Sequence, residues 1–261
     1  MLHRALTALF FLAFAGLLSG CASAPPRSTP VFYSSRQSVL SSSVVAPVSA
    51  VGLRDVYHEV GPCETLWRIS KVYDVDIETL MRVNHLEDKT QLKKGMKLLI
   101  PGTRGPRANI PLFPTTRWTH IVIHHTATDE GSAFSIDGMH HQRGWENGLG
   151  YHFLIDNGTR GKAVGQIEVG PRWIKQMQGA HVKVGDWNQK SVGIGVVGNY
   201  SEERIDAKTF ESLLFLIATL KNHYRIPDRN IVGHRDVPGA ATECPGKLFP
   251  WSEFKRRLRY A

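Results

Sequence analysis

Cysteine is scarce in this sequence, three residues in 261, which excludes a disulfide-built scaffold and leaves each thiol to be explained singly. Acidic residues are also in short supply. Asp and Glu number 23 against 32 Lys and Arg, and the net charge of +9 favours anionic partners such as an acidic polymer or a membrane surface. Long basic tracts are missing as well, so nucleic acid is not an expected partner. The N-terminal apolar run falls short of the about 20 residues that a bilayer-crossing helix needs. What is plentiful is core material: 42% of the residues are hydrophobic. That excludes a disordered or fibrous chain, and the length suits one or two domains of roughly 100–200 residues.

Behind Arg4, residues 5–18 are apolar except for Thr7, and the next charge is Arg27. This length fits the core of a secretory signal, about 7–15 residues. Leu18-Ser19-Gly20-Cys21 follows directly and resembles the lipobox of bacterial lipoproteins. The resemblance implies cleavage before Cys21 and a thioether link from Cys21 to diacylglycerol. Ala22 and Ser23 lack the aspartate that commonly retains this class at the inner membrane, so a lipid anchor on the periplasmic face of an outer membrane is expected. Residues 21–55, rich in Ser and Pro with few charges, read as a flexible tether, although Val44 and Val45 suit a short strand.

Residues 56–101 carry the pattern strand, helix, helix, strand. Leu66, Ile69 and Tyr73 fall on one helical face, and Asp76 is a suitable N-cap for a second helix with Ile77, Leu80 and Val83 inward. A closing strand is expected over residues 97–100. The segments Tyr57-His58-Glu59-Val60, Glu64-Thr65-Leu66-Trp67-Arg68-Ile69, Asn84 and Leu92 to Pro101 resemble the LysM module. The resemblance implies a βααβ fold that binds N-acetylglucosamine-containing glycans, chiefly peptidoglycan. Cys63 departs from it, standing where the family usually has Gly. Residues 102–114, rich in Pro and Gly, read as a second linker.

Residues 115–261 alternate strands with amphipathic helices, which indicates an α/β domain, a mixed central sheet flanked by helices. Residues 120–125 form a buried strand whose last two members, His124 and His125, must face opposite ways. Residues 151–155 and 191–197 read as further strands. Phe210, Leu213, Leu214, Ile217, Leu220 and Tyr224 form a helical stripe, and Pro250 opens a last helix with Trp251, Phe254 and Leu258 on one face. His124, His234 and Cys244 are candidate metal ligands, because imidazole nitrogen and thiolate sulfur are donors that Zn²⁺ favours and three of them leave a fourth position open. With twelve histidines in the chain, spacing alone does not select this trio.

Resemblance does. Trp118 to Ala127, Arg143-Gly144-Trp145, Gly150-Tyr151-His152-Phe153, Gly179-Ala180-His181, Ser191 to Tyr200, Gly233-His234-Arg235-Asp236 and Thr242-Glu243-Cys244-Pro245-Gly246 are similar to the type 2 N-acetylmuramoyl-L-alanine amidases. That superfamily includes the peptidoglycan recognition proteins and phage amidase-type lysozymes. The resemblance implies a zinc hydrolase that cuts between N-acetylmuramic acid and the L-alanine of the stem peptide. His124, His234 and Cys244 match its zinc ligands, Tyr151 a tyrosine lining the site, and Thr242 the polar residue two before the cysteine. His140 and His181 match recurring histidines, structural or groove-lining. Recycling members carry a glutamate acid/base where this chain has Gly195, which leaves the proton carrier open. The rival expectation is a non-catalytic peptidoglycan receptor, against which Cys244 counts because purely binding relatives generally lose that ligand. A Cys63–Cys244 disulfide is the remaining alternative for those thiols. A monomer is expected.

Overall fold

The structure, a computed structural model, describes residues 42–45 and 52–259, all of which fall in a unit running from Gln37 to Ala261. Cys21 and the signal-like segment lie outside the described residues. Among the described residues, no helix is long and apolar enough to cross a membrane.

Strand β1 (Ser42–Val45) comes first in the chain. The small module then follows the sequence pattern closely. Strand β2 (Arg54–Glu59) pairs antiparallel with β3 (Lys97–Thr103), and helices α1 (Leu66–Tyr73) and α2 (Ile77–Val83) lie between them in sequence. Thr65 caps α1 by accepting the Arg68 N–H, and Asp76 caps α2 by accepting that of Thr79. Leu66, Ile69, Tyr73, Leu80, Leu98 and Ile100 form the core. Such a small core leans on polar stitches. Asn84 donates to the carbonyls of Leu80 and Leu99 and accepts the Leu99 N–H, locking the end of α2 to β3.

The large domain is built on a five-stranded sheet. Strands β4 (Asn109–Leu112), β5 (His120–His125), β6 (Phe153–Asn157), β7 (Val164–Val169), β8 (Ser191–Val196) and β9 (Ile231–Gly233) alternate with helices α3 (Ala133–Gln142), α4 (Pro171–Ile174), α5 (Trp187–Lys190), α6 (Ala207–Tyr224) and α7 (Trp251–Leu258). The order is β7-β6-β8-β5-β9, with all neighbours parallel except the β6–β7 pair. Phe210, Leu213, Leu216, Ile217 and Leu220 of α6 bury against Ile121, Ile123, Phe153, Ile155 and Ile194 of the sheet. Ala133 and Ile136 of α3 instead cluster with Leu149, Leu154 and Val197. Since Leu154 alternates with Phe153 and Ile155 along β6, α3 and α6 cover opposite faces.

Two expectations are corrected. The strand expected from Tyr151 begins at Phe153; just before it, the imidazole Nδ1 of His152 accepts the Gly193 N–H at 3.0 Å while the His152 N–H donates to the Gly193 carbonyl at 2.8 Å. The second correction concerns the linkers. Residues 109–112 form β4, paired antiparallel with β1 inside the presumed tether, and Ile110 and Leu112 are buried in the large domain's core. Pro111 fits this two-stranded ribbon because it accepts there rather than donates: its carbonyl receives the Trp173 indole N–H at 2.8 Å. Composition marked the prolines and hid the two apolar residues that flank one of them. Ile110→Ala should therefore cost about 2–5 kcal/mol in urea unfolding, as a core truncation does. A true linker position would leave the transition unmoved.

Candidate metal centre

The pleat of β5 sends its last two histidines apart. The His124 ring lies among Tyr151, His181 and His234, with ring centres 5.2, 4.9 and 4.6 Å away. His125 turns to the other side and accepts the Tyr200 N–H on Nδ1 at 3.1 Å. Strand β9 runs parallel beside β5 with Ile123 opposite Gly233, so the chain leaves the sheet at His234 next to His124. Beyond it the chain loops back: the Cys244 carbonyl accepts the Arg235 N–H at 2.8 Å, and the Cys244 sulfur accepts the His125 N–H at 3.4 Å.

The ligand atoms of His124, His234 and Cys244 all lie within 4.8 Å of one another, and Cys244 Sγ is 3.7 Å from His124 Nδ1. Metal–ligand bonds of 2.0–2.3 Å in a tetrahedron require ligand atoms roughly 3.3–3.8 Å apart, so this donor set fits a zinc-sized ion with little movement. The second nitrogen of His124 is already committed, with Nε2 3.0 Å from His181 Nδ1. With Nδ1 of His124 facing the sulfur, Nε2 carries the hydrogen and donates it to His181. An outer hydrogen bond of this kind fixes the tautomer and orientation of a ligating imidazole.

Electrostatics agree. Burial, helped by the neighbouring histidines, holds His124 and His181 well below the usual imidazole range, and burial lowers His234 as well. All three are neutral at pH 7 and thus keep a lone pair. Burial pushes the Cys244 thiol up to about 12, although the His125 N–H and Arg235 favour its thiolate. Without a cation beside it, the sulfur keeps its proton.

Tyr151 reaches the same centre by a route the sequence did not disclose. A Cβ at Gly195 would come within 2.6 Å of the Tyr151 ring, and one at Gly193 would collide with the ring of His181. These two residues share one face of β8, where they strip the sheet to bare backbone so that both rings can lie on it. Gly195 is therefore the space Tyr151 occupies, as well as a missing glutamate. His140 flanks the tyrosine with ring centres 5.7 Å apart and accepts the Gly150 N–H at 3.0 Å. Burial raises the Tyr151 phenol above its ordinary range, and ionisation of Cys244 would raise it further, so it remains a proton donor.

Thr242 stands at the edge of the site, its Oγ1 accepting the Cys244 N–H at 3.2 Å. The structure thus gathers His124, His234, Cys244 and Tyr151 around one point and ties Thr242 to the loop that carries the sulfur. Sequence reasoning left His181 undecided between structural and groove-lining. Its contact with His124 gives it a definite part, and only its place in Gly179-Ala180-His181 hinted at this. Cys63 and Cys244 are both free thiols, Cys63 exposed, which removes the disulfide alternative.

Comparison with known proteins places these observations. The profile of the N-acetylmuramoyl-L-alanine amidase family, Amidase_2, matches residues 114–247, and that of the LysM domain matches residues 58–101. Peptidoglycan-recognition protein 2 of Holotrichia diomphalia is 31% identical over 166 residues, covering 58% of this chain and 82% of its own. Peptidoglycan-recognition protein SC2 of Drosophila melanogaster is 30% identical over 156 residues, covering 52% and 76%. Among solved structures, the endolysin N-acetylmuramoyl-L-alanine amidase LysCS of Clostridium intestinale is 36% identical with a TM-score of 0.47, covering 55% of this chain and 84% of that one. The chain belongs to the N-acetylmuramoyl-L-alanine amidase family and carries a LysM domain ahead of the family's own fold.

Proposed function

We propose that this protein is a zinc-dependent N-acetylmuramoyl-L-alanine amidase. In this reading water adds across the amide between the lactyl group of N-acetylmuramic acid and L-alanine, giving a carboxylate and a free amine. The observation that carries the reading is the convergence of His124, His234 and Cys244 beside a protonated Tyr151. Bound Zn²⁺ supplies Lewis acidity, polarising the scissile carbonyl and acidifying a water.

The protein's own groups do the rest. His181 holds the His124 ring through Nε2, so that Nδ1 is aimed at the ion. The Tyr151 hydroxyl donates to the carbonyl oxygen as it gains negative charge, and the Thr242 hydroxyl, which only accepts from Cys244, keeps its hydrogen for the same oxygen. The departing alanine nitrogen needs a proton. Gly195 has none to give, and Tyr151, seated on it, is the side chain in place to relay one. The LysM domain binds peptidoglycan and raises the local concentration of the amidase at its polymer. Lipid-linked Cys21 anchors the chain on the periplasmic face of an outer membrane. This last part is supported by the lipobox sequence alone, and an intact mass showing unmodified Cys21 would overturn it.

Digestion of a defined muropeptide by the zinc-loaded chain, followed by mass spectrometry, tests the reaction and the bond together. Binding without cleavage would favour the receptor reading and sink the amidase. Tyr151→Phe should lower kcat by about 10² or more with zinc content unchanged, the scale for removing one oxyanion donor or proton carrier. Thr242→Val should lose a similar or smaller factor. Normal turnover in Tyr151→Phe would remove that residue from the mechanism.

The pKa pattern also sets the pH dependence of metal uptake. Below its value of about 12 the thiol must release one proton to bind, while the histidines, already neutral, release none. Zinc affinity should therefore rise about tenfold per pH unit between about pH 6.5 and 8.5, in chelator competition corrected for the chelator's own protonation. Cys244→Ser should flatten this slope as well as weaken binding. A slope near two in the wild type would mean that a histidine is protonated in the metal-free protein.

A further inference from the structure

Helix α3 is gripped at both ends, by the LysM domain on one side and by the loop leading to Tyr151 on the other. At its start, the Ser132 hydroxyl donates to the Glu59 carboxylate at 2.8 Å. The Phe134 ring lies so close over Gly95 that a Cβ there would be 2.8 Å away. Beside it, the buried Lys162 ammonium donates to the Glu59 carbonyl at 2.8 Å and to Glu168 at 2.6 Å. One turn further along, Lys94 of the LysM domain reaches Asp137 of α3, with Nζ 2.7 Å from Oδ2.

Asp137 has a second duty. Its side chain is 3% exposed, and its other oxygen accepts the Leu149 N–H at 2.8 Å. The adjoining backbone passes so near that a Cβ at Gly148 would run into that oxygen. The next residue but two on α3, His140, accepts the Gly150 N–H and stacks on Trp145, ring centres 4.4 Å apart. Tyr151 follows immediately. Asp137 and His140 thus hold consecutive amides of the segment that delivers Tyr151 to the metal centre.

We propose that Asp137 is a positioning residue for Tyr151 and that the LysM domain completes it through Lys94, so that the module supports the amidase centre from within the chain besides binding the wall. The inference rests on the role given to Tyr151 above. A buried carboxylate is stable as an anion only with its charge and lone pairs matched. Lys94 is a full positive charge on it, and His141, with Nδ1 3.3 Å from Oδ2, is the other titratable group against it. Removing Lys94 favours release of the carboxylate toward solvent, which loosens its hold on the Leu149 amide. Small displacements of a reacting group are costly, so the effect should appear in turnover rather than in substrate affinity.

The test uses the full zinc-loaded chain and a soluble N-acetylmuramoyl tripeptide, too short to engage both domains at once. Lys94→Ala should lower kcat by roughly 3- to 10-fold, since Lys94 is half-exposed, with zinc content and KM unchanged, and Lys94→Arg should restore it. Asp137→Asn, which keeps an acceptor but no charge, should shift kcat in the same direction. Hydrogen exchange at the amides of Leu149 and Gly150 reads the segment directly, and should quicken in Lys94→Ala and recover in Lys94→Arg. Wild-type turnover and exchange in Lys94→Ala would overturn the inference, as would a loss of turnover that Arg does not repair or that leaves exchange unchanged. A wild-type chain that binds the tripeptide without cutting it would overturn the amidase reading and the catalytic part of this inference, while the exchange data would still decide the Lys94–Asp137 coupling.

Discussion

The parallel register of β5 with its two neighbours is the constraint on which the centre depends. Ile123 opposite Gly233 brings His234 beside His124, and His124 opposite Gly195 sets the imidazole next to the bare stretch of β8 that admits Tyr151. Because side chains alternate along a strand, a slip of one residue would present His125 in place of His124. The same step would move the His125 amide off the Cys244 sulfur. Few packing errors could be tolerated, and the apolar layer beneath guards against them. Ile121, Ile123, Ile194 and Val196 are wholly buried under α6, and a slip of one residue would turn them toward the opposite face.

A second dependence is electrical. The gathered histidines His124, His181 and His234 are kept uncharged by burial, since a charge on any one of them would be desolvated and a second beside it would be repelled. The imidazoles close to the sulfur are thereby left as donors or acceptors without net charge, and Arg235 is the charge that acts on it. Near the LysM domain the buried Lys162 and Glu168 neutralise each other as a pair, and the wholly buried Asp156 is raised well above its ordinary range by burial and by Glu168 and so stays protonated.

The sequence was most informative where one period ran without interruption. The strand over residues 120–125 and the stripe from Phe210 to Tyr224 appear as read, because alternation and helical spacing directly report one-sided burial. The trio of ligands came through resemblance, since its members are far apart in the chain and only tertiary pairing joins them. Less legible were features defined by what a residue leaves empty. Gly193 and Gly195 look like ordinary strand glycines until the rings of His181 and Tyr151 are placed on them. Ile110 and Leu112 were masked by neighbouring prolines, which mark a linker by composition and say nothing of which apolar side chains find a core. The grip of the LysM domain on α3 left no pattern at all. Glu59, Lys94 and Gly95 read as parts of the module alone, and their partners lie many positions away.

The protonated sulfur of Cys244 also bears on how well this candidate ligand resists oxidation. Oxidants attack thiolates, and a thiol with a pKa of about 12 is ionised in only about one molecule in 10⁵ at pH 7. Burial that disfavours the thiolate thus acts as a preservative for the same sulfur. Exposed Cys63 has no such cover. Oxidative ageing of the chain should therefore begin in the LysM domain and reach Cys244 late.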